Sequence, residues 1–251
     1  LQSPFSMKGM EESVLKIKDA ISQHKKILIF GDYDVDGISA TAIVIKALKK
    51  FNCIADYFLP NRYIDGYGLS IDVIDKIKNK FNPDLIITVD CGITAVKEVD
   101  YAKSLGIDII ITDHHEIGDE LPNTIIVNTK FTDQEYTFRG LCGTGVAYKL
   151  AEALLPAEEC IEFLPIVAIA TIADIVPLID ENRTLIKLGF GHMNLLPQGL
   201  KQLFTENKIS YTKPDAGDIA FKIAPKLNAS GRMGDAEDSL LLYFETNPAK
   251  I

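Results

Sequence analysis

Short apolar runs separated by amphipathic segments divide the first half of the chain. Nearly continuous apolar stretches, as buried strands of a parallel sheet require, occur at 26–30, 54–59, 85–89, 108–111 and 125–127. Between them, apolar residues spaced three or four positions apart predict helices at 10–23, 38–50, 71–80 and, after a capping Thr94, to about residue 105. This alternation is typical of an α/β fold with a doubly wound, mostly parallel sheet and helices on both faces.

The second half of the chain has a helical pattern. Apolar spacing predicts helices at 146–155, 158–173, 181–193, 200–206, 215–223 and 236–244. The segment 228–233 is expected to form a turn. We therefore expect one domain over residues 1–251, with a sheet-containing half to about residue 139 and a mainly helical half from about residue 140.

Both ends of the chain suggest a piece of a longer protein. The first residue is Leu1 instead of methionine. Near the other end, Asn247, Pro248 and Ala249 have the order of a helix N-cap followed by a proline in the first turn. The sequence stops before that helix could form, so we expect further protein beyond residue 251.

Composition and charge narrow the classes of protein to which this chain could belong. No apolar run approaches the roughly 18 residues that a membrane helix needs, and residue usage is that of a soluble globular protein. The four cysteines lack the spacing of a zinc site or a disulfide frame, which favours reduced thiols and a cytoplasmic location. The net charge of −9 argues against a plain nucleic-acid-binding module. It does not exclude a nuclease, because bound divalent cations would reverse much of the local charge.

Three aspartates crowd the end of the first predicted strand. Asp32, Asp34 and Asp36 alternate with other residues, and Gly37 opens the following helical pattern. Carboxylates this close repel one another, and burying them without partners is costly. A divalent cation is the usual solution, although an isolated turn of this kind is as often an acidic stretch of surface.

Two further strand ends carry side chains of the same kind. Asp90 follows the strand at 85–89, and Asp113, His114 and His115 follow the strand at 108–111. The carboxyl ends of parallel strands meet at one edge of a sheet, where α/β proteins bind ligands. Carboxylates suit Mg²⁺ and Mn²⁺, and an imidazole among them favours Mn²⁺. Because paired ions of this type promote phosphoester hydrolysis, two divalent metal ions are the predicted cofactors.

These segments resemble the ordered motifs of the DHH phosphoesterase family. The matching stretches are Asp32-Tyr33-Asp34-Val35-Asp36-Gly37, Val89-Asp90-Cys91-Gly92, Asp113-His114-His115 and Ala173-Asp174-Ile175-Val176-Pro177-Leu178. Within the family, the chain is similar to the single-strand-specific 5′→3′ DNA exonucleases, also through residues 224–233. The resemblance implies a hydrolase that produces 5′-phosphomonoesters in DNA repair and recombination.

The resemblance also implies partners for the protein. Single-stranded DNA would be the substrate, and no membrane would be involved. A helicase and a single-strand-binding protein would bind through parts outside this chain. A DHH-associated domain beyond the C-terminus would help to hold the strand.

The resemblance assigns metal ligands. Asp90 would bridge the two ions and thereby take part in catalysis. Asp34, with help from Asp32, would hold one ion. The ligands of the other ion would be Asp36, His114 and Asp174.

The remaining site residues would act on the substrate. His115 would face the scissile phosphate and protonate the leaving oxygen, and Asp113 would orient a histidine. Arg62, Asn228 and Arg232 would bind substrate phosphate, since a guanidinium matches two phosphate oxygens at once.

The chain departs from the family pattern at one position. Many members have a histidine two residues before the first aspartate of the turn; Phe30 stands there, so one metal site is expected to have fewer ligands.

Two other functions compete with the exonuclease interpretation. The first rival is a family enzyme for short oligoribonucleotides, cyclic dinucleotides or pyrophosphate. The second is a catalytically silent scaffold of a replication assembly, a class whose members tend to lose the metal ligands that this chain keeps.

Overall fold

A five-stranded parallel sheet forms the centre of the computed structural model, which describes residues 1–246. The strands are β1 (Ile27–Gly31), β2 (Asp56–Phe58), β3 (Leu85–Val89), β4 (Asp108–Asp113) and β5 (Ile125–Asn128). All adjacent pairs are parallel, in the order β2-β1-β3-β4-β5. The chain winds in both directions from the β1–β3 pair, which confirms the predicted doubly wound fold.

Helices flank this sheet and make up most of the chain after it. They are α1 (Met10–Ser22), α2 (Val35–Lys49), α3 (Ile71–Lys80), α4 (Val96–Ser104), α5 (Gly143–Leu154), α6 (Ala157–Cys160), α7 (Leu164–Ala173), α8 (Asp180–Gly191), α9 (Gln198–Glu206), α10 (Ala216–Asp218), α11 (Ala224–Met233) and α12 (Ala236–Leu241). Short 3-10 helices lie at Pro4–Ser6, Ile161–Phe163 and Met193–Leu195. A π-helix at Ile219–Ile223 joins α10 to α11.

The sheet separates two hydrophobic cores. Side chains alternate along β1, so Ile27 and Ile29 contribute to one core and Leu28 and Phe30 to the other. Apolar residues of α1, α2 and α5 complete the first core, and those of α3 and α4 complete the second. Both faces of the strands are therefore covered, as a parallel sheet requires.

The helical half of the chain shares the first core with the sheet. Leu150 of α5 and Ile169 of α7 belong to the same buried cluster as Ile29 of β1. Helix α2 packs against both α5 and α7. The two halves therefore hold each other in place around α2, and residues from both can be positioned accurately at one site.

Several helix boundaries differ from the sequence prediction, among them those of α2, α4 and α7. Helix α2 begins at Val35 instead of residue 38, because the Asp34 side chain accepts a hydrogen bond from Gly37 N and caps the helix. Helix α4 begins at Val96 after Ala95, so the predicted cap at Thr94 is wrong. The helix predicted at 158–173 is divided into α6, a 3-10 helix and α7, with a proline in the first turn of α7 that cannot donate to a preceding carbonyl.

Two other expectations concern the C-terminal segment. Residues 228–233 belong to α11 and do not form the predicted turn. A proline in the first turn of α11 and Gly234 after its end, with φ of 93°, are helix signals that favour this outcome. The helix start predicted at Asn247 lies outside the described residues.

Two features bear on the predicted environment of the protein. Within residues 1–246, no helix has both the length and the apolar character needed to cross a membrane. The cysteines are free thiols, and those at positions 91, 142 and 160 are buried. The described part of the chain is therefore held together by packing, without disulfide bonds.

A buried ion cluster ties the N-terminal segment to the helical half. The Lys149 ammonium is fully buried, 3.1 Å from Glu152 Oε2 and 3.3 Å from Glu181 Oε1, and it donates a hydrogen bond to Gln2 O. Glu181 also accepts hydrogen bonds from the Tyr136 hydroxyl and the Gln2 backbone nitrogen. Such partners are necessary, because a buried ammonium without them is strongly destabilising.

Replacement of Glu181 by alanine should destabilise the fold. The change leaves the Lys149 ammonium with one carboxylate instead of two, so we expect the free energy of unfolding to fall by about 3 kcal/mol. Urea unfolding followed by circular dichroism measures this difference. Glu120→Ala, in an exposed loop, is the control and should change stability by less than about 0.5 kcal/mol. An E181A variant as stable as the control would contradict the role given to this cluster.

Candidate metal centre

The acidic turn between β1 and α2 is shaped by its glycine. Asp32 follows β1 and is buried, Asp34 caps α2, and Asp36 lies in the first turn of that helix. A side chain at Gly37 would lie 2.5 Å from the backbone nitrogen and oxygen of Asp32, so the turn closes this tightly only with glycine. The tight turn brings the carboxylates of Asp32 and Asp34 close together.

The N-terminus of α5 anchors Asp36. Its carboxylate accepts hydrogen bonds from the backbone nitrogens of Gly143 at 2.6 Å and Thr144 at 2.8 Å. The Thr144 hydroxyl donates to the Asp36 carbonyl oxygen at 2.8 Å. The positive end of the α5 dipole further stabilises the carboxylate. Sequence analysis did not assign Gly143 and Thr144 to the site; the available signal was a run of small residues at a helix start, which lets backbone amides approach an anion.

Asp90 has an unusual backbone conformation and a buried carboxylate oxygen that accepts no hydrogen bond from the described residues. It follows β3 with φ of 62°, in the left-handed region that is costly for residues other than glycine. Its side chain is buried, and Oδ1 receives no hydrogen bond from the described residues, although His114 Nε2 lies 3.1 Å away. A buried oxygen of this kind fits a metal ligand, because a cation would satisfy it.

Asp113, the last residue of β4, orients His115. Asp113 Oδ1 lies 2.7 Å from His115 Nδ1 and accepts hydrogen bonds from the backbone nitrogens of His114 and His115. Asp113 Oδ2 accepts one from Ile93 N at 2.9 Å. Burial pushes the pKa of Asp113 upward, but the hydrogen bonds from His115 and the backbone hold it below its usual value. The bond to Asp113 raises the pKa of His115, whose Nε2 lies 3.4 Å from the Tyr67 hydroxyl.

His114 connects the remaining carboxylates. Its Nε2 is 3.8 Å from Asp36 Oδ2, 3.9 Å from Asp174 Oδ2 and 3.1 Å from Asp90 Oδ1. Asp174 is the C-cap of α7, where a carboxylate meets the negative end of the helix dipole and gains from a nearby cation. Among the described residues, three overlapping groups have ligand atoms within 4.8 Å of one another: Asp32, Asp34 and Asp90; Asp36, His114 and Asp174; and Asp90, His114 and His115. The first two groups contain the residues predicted to hold two ions.

The packing of these carboxylates is electrostatically unfavourable. Burial, together with repulsion from Asp34, raises the pKa of Asp32 to about 7. Burial, together with repulsion from Asp36 and Asp34, raises the pKa of Asp174 to about 8. Burial also raises the pKa of Asp90 well above its usual value. Divalent cations would remove this repulsion, and carboxylates with an imidazole are a donor set that Mn²⁺ and Mg²⁺ accept, so the residues present fit a pair of such ions.

A cavity beside the acidic turn brings the predicted phosphate-binding residues together. It has a volume of about 190 Å³ and is lined by Tyr33, Asp34, Arg62, Asn228 and Arg232. The Arg62 guanidinium lies 5.9 Å from the centre of the Tyr33 ring. Asn228 Oδ1 accepts a hydrogen bond from Val35 N at 2.9 Å, which links α11 to the start of α2. We call this space the arginine cavity.

Phe30 lies away from the metal-ligand groups. Its side chain is buried in the second core and stacks on Phe58, with ring centroids 6.0 Å apart. Asp32, two residues further on, supplies a carboxylate to the group with Asp34 and Asp90. Alternation along β1 turns Phe30 toward the core, so it supplies no ligand, and the expectation that one metal site has fewer ligands stays a prediction.

The sequence of this chain is similar to one family model and to known proteins. The model described as DHH family, N-terminal domain, matches residues 26–175. The single-stranded-DNA-specific exonuclease RecJ of Bacillus subtilis (strain 168) is 45% identical over 243 residues, which is 96% of this chain and 31% of that relative. RecJ of Escherichia coli (strain K12) is 36% identical over 259 residues, which is 96% of this chain and 45% of that relative. This chain thus spans less than half the length of either.

A solved structure gives the same picture of the fold. The crystal structure of exonuclease RecJ bound to manganese superposes with a TM-score of 0.88 at 33% sequence identity. The similarity covers 97% of this chain and 63% of that one. Nearly every described element therefore has a counterpart in a protein that was crystallised with manganese.

Replacement of Gly143 by alanine should weaken metal binding. The added methyl group would lie 2.5 Å from Asp90 Cβ, so the Asp90 carboxylate would have to move. We expect Mn²⁺ affinity, measured by isothermal titration calorimetry, to fall by at least about 10-fold. Gly191→Ala, where the added group would meet open space, is the matched control. Wild-type affinity in the G143A variant would argue against Asp90 as a ligand.

Without divalent ions, stability should fall as pH rises from about 6 to about 8. Asp32 and Asp174 have raised pKa values of about 7 and about 8, so between the ordinary value of 3.8 and these values the folded state binds more protons than the unfolded state. Stability is therefore greatest at the acidic end of this window and is lost as the folded carboxylates ionise. Thermal unfolding in the presence of EDTA measures the effect.

Two comparisons make this pH test specific. Saturating Mn²⁺ should flatten the dependence, because the cation takes the place of the protons. Asp174→Asn should reduce the slope, whereas Asp119→Asn, in an exposed loop, should preserve it. The pKa of His114 is lowered, chiefly by burial, so its titration would make stability rise with pH. It is one group against the two carboxylates. Stability that rises with pH over this range would contradict the electrostatic account of the site.

Proposed function

This chain belongs to the DHH family, and we propose that it is the catalytic domain of a two-metal phosphodiesterase that degrades single-stranded DNA from the 5′ end. The observation that carries the proposal is the overlap, among the described residues, of three ligand groups, with Asp90 and His114 each in two of them. Support also comes from the two RecJ relatives, which bear the name of single-stranded-DNA-specific exonucleases and align with 96% of this chain. DNA repair and recombination are the processes in which we expect it to act.

The carboxylates and His114 would hold two divalent ions, Mn²⁺ or Mg²⁺. Asp32 and Asp34 would serve one ion, Asp90 would serve both, and the other would be held by Asp36, His114 and Asp174. When bound, the ions supply the Lewis acidity that activates water and neutralises charge on the phosphate. The α5 amides would hold the Asp36 carboxylate in place.

His115 would act as the proton donor to the leaving oxygen. Its Nδ1 is held 2.7 Å from Asp113 Oδ1, which fixes the ring and leaves Nε2 for the substrate. The hydrogen bond to Asp113 raises the pKa of His115, so a proton is more readily available near neutral pH. Asp113 would be the positioning residue, since backbone amides hold its carboxylate in turn.

The arginine cavity would bind a phosphate of the DNA strand. Guanidinium groups bind phosphate through paired hydrogen bonds, and Arg62 and Arg232 both line this space. Asn228 would offer its amide nitrogen, because its oxygen is engaged by Val35 N. Asp34 lines the cavity and belongs to a ligand group, so a phosphate bound here would lie next to the reaction centre.

The properties of the whole protein extend this proposal. The chain spans 31% and 45% of its two relatives, so the single-strand preference in their names is inferred for it by similarity. The 5′→3′ polarity is proposed from the motif resemblance alone. A cytoplasmic location, and a helicase and a single-strand-binding protein as partners bound outside this chain, are proposed on the same basis. A silent scaffold is disfavoured, because every predicted metal ligand belongs to a ligand group.

Asp90→Asn should abolish most of the nuclease activity. With Mn²⁺, we expect the full-length protein to release mononucleotides from 5′-phosphorylated single-stranded DNA, and the variant to be slower by at least about 100-fold, because Asp90 is proposed to contact both ions. Duplex DNA, a diribonucleotide and pyrophosphate are the comparison substrates. Asp119→Asn, outside the site, is the matched control.

The same assay distinguishes the rival functions. Cleavage of the diribonucleotide or pyrophosphate alone would replace the exonuclease proposal by a small-substrate enzyme. Absence of turnover on every substrate, with metal binding intact, would favour the scaffold. Cleavage of single-stranded DNA that persists in the Asp90→Asn variant would contradict the assigned centre.

A further inference from the structure

An apolar groove adjoins the metal centre at Asp174. It has a volume of about 350 Å³ and lies between the end of α7 and the π-helix Ile219–Ile223. Ala173 and Ile175, on either side of Asp174 in sequence, contribute to one wall, and Phe221 contributes to the other. Within the described part of the chain, the lining has no ionisable side chain. The groove is thus an uncharged space whose wall includes both sequence neighbours of Asp174.

Two large apolar side chains of this groove face solvent. Ile175 is 87% exposed and has φ of 60°, a left-handed conformation that is unfavourable for a β-branched residue. Phe221 is 82% exposed and lies within the π-helix. Backbone strain and π-helices both concentrate at functional sites, and clustered exposed apolar side chains mark binding surfaces. These features indicate that the groove has an occupant.

One helical run connects the groove to the arginine cavity. The π-helix continues into α11, which places Phe221 and Arg232 on the same run. Eleven residues along this run separate the two side chains. The arginine cavity includes Asp34 of one ligand group, and the groove flanks Asp174 of another. Each of the two spaces is therefore related to one ligand group, the arginine cavity through Asp34 and the groove through the neighbours of Asp174.

We propose that this groove binds a nucleobase of the DNA strand, next to the phosphodiester that lies at the metal centre. The inference rests on the proposed function and adds a subsite to it. A base is uncharged and has two apolar faces, so it suits this lining, whereas the phosphates suit the arginines and metal ligands. Stacking of bases on aromatic rings is the sequence-independent way in which proteins hold single strands. Bases of a duplex are stacked inside the helix and cannot enter, so the groove would also favour single strands.

Substrates that lack one base test the proposal in the full-length protein. In 5′-phosphorylated single strands, an abasic nucleotide is placed in turn at each position near the 5′ end. For the wild type, we expect KM to rise about 5- to 100-fold at one position, with kcat changed much less. Phe221→Ala should cause a similar rise with the intact strand and no further rise when that base is missing. Phe221→Trp, which keeps an aromatic surface, should restore the affinity, and Phe5→Ala, an exposed phenylalanine outside the groove, should have no effect.

The outcomes separate this inference from the proposed function. Two results would overturn the nucleobase subsite while DNA cleavage remained. The first is an equal KM for the wild type and F221A. The second is a KM for F221A on the abasic strand that rises by the product of the two separate fold-changes, because independent effects do not point to one contact. A lower melting temperature of F221A with unchanged KM would show that the groove is a packing surface for protein, which also overturns it. Absence of Asp90-dependent DNA cleavage by the wild type would overturn the proposed function, and the inference with it.

Discussion

Repulsion among carboxylates buried at one edge of a parallel sheet is the constraint on which this structure depends. The sheet brings the ends of β1, β3 and β4 together, and each end carries aspartate. Burial raises the pKa of Asp32, Asp90 and Asp174, which measures how unfavourable the arrangement is without a cation. Much of the surrounding structure compensates for this repulsion. The α5 amides hold Asp36, and backbone amides with His115 hold Asp113.

The hydrogen bonds that stabilise these carboxylates form only where backbone segments lie very close together. This requirement explains why the site needs glycine at particular positions. Gly37 lets the acidic turn close on itself, and Gly143 lets α5 come against Asp90. Asp90 accepts a left-handed backbone, which a residue other than glycine adopts only when its surroundings impose it. These close approaches hold the candidate ligands in a defined geometry.

The helical half contributes more than support. It shares a core with the sheet, and this packing holds in place α7, which ends at Asp174, and α11, which carries Arg232. It also divides the surface around the ligand groups into two environments, the arginine cavity beside Asp34 and an apolar groove beside Asp174. A nucleotide has the same division between charged phosphate and apolar base, and this correspondence supports the proposed nucleic-acid substrate.

The sequence by itself determined the fold class, the five strands and most helices, because hydrophobic periodicity is a local property set by burial. It also determined which aspartates and histidines lie at strand ends, whereas the predicted ligand set, with Asp174 at the end of α7, came from the family resemblance. Local patterns did not reveal the start of α2 or the helical state of 228–233, since capping and packing decide such boundaries. Only the tertiary structure decided that Phe30 faces the core, that Gly143 and Thr144 bind Asp36, and that Arg62 meets Arg232. These contacts join residues far apart in the chain, and their geometry follows from how α2, α5 and α11 pack against one another.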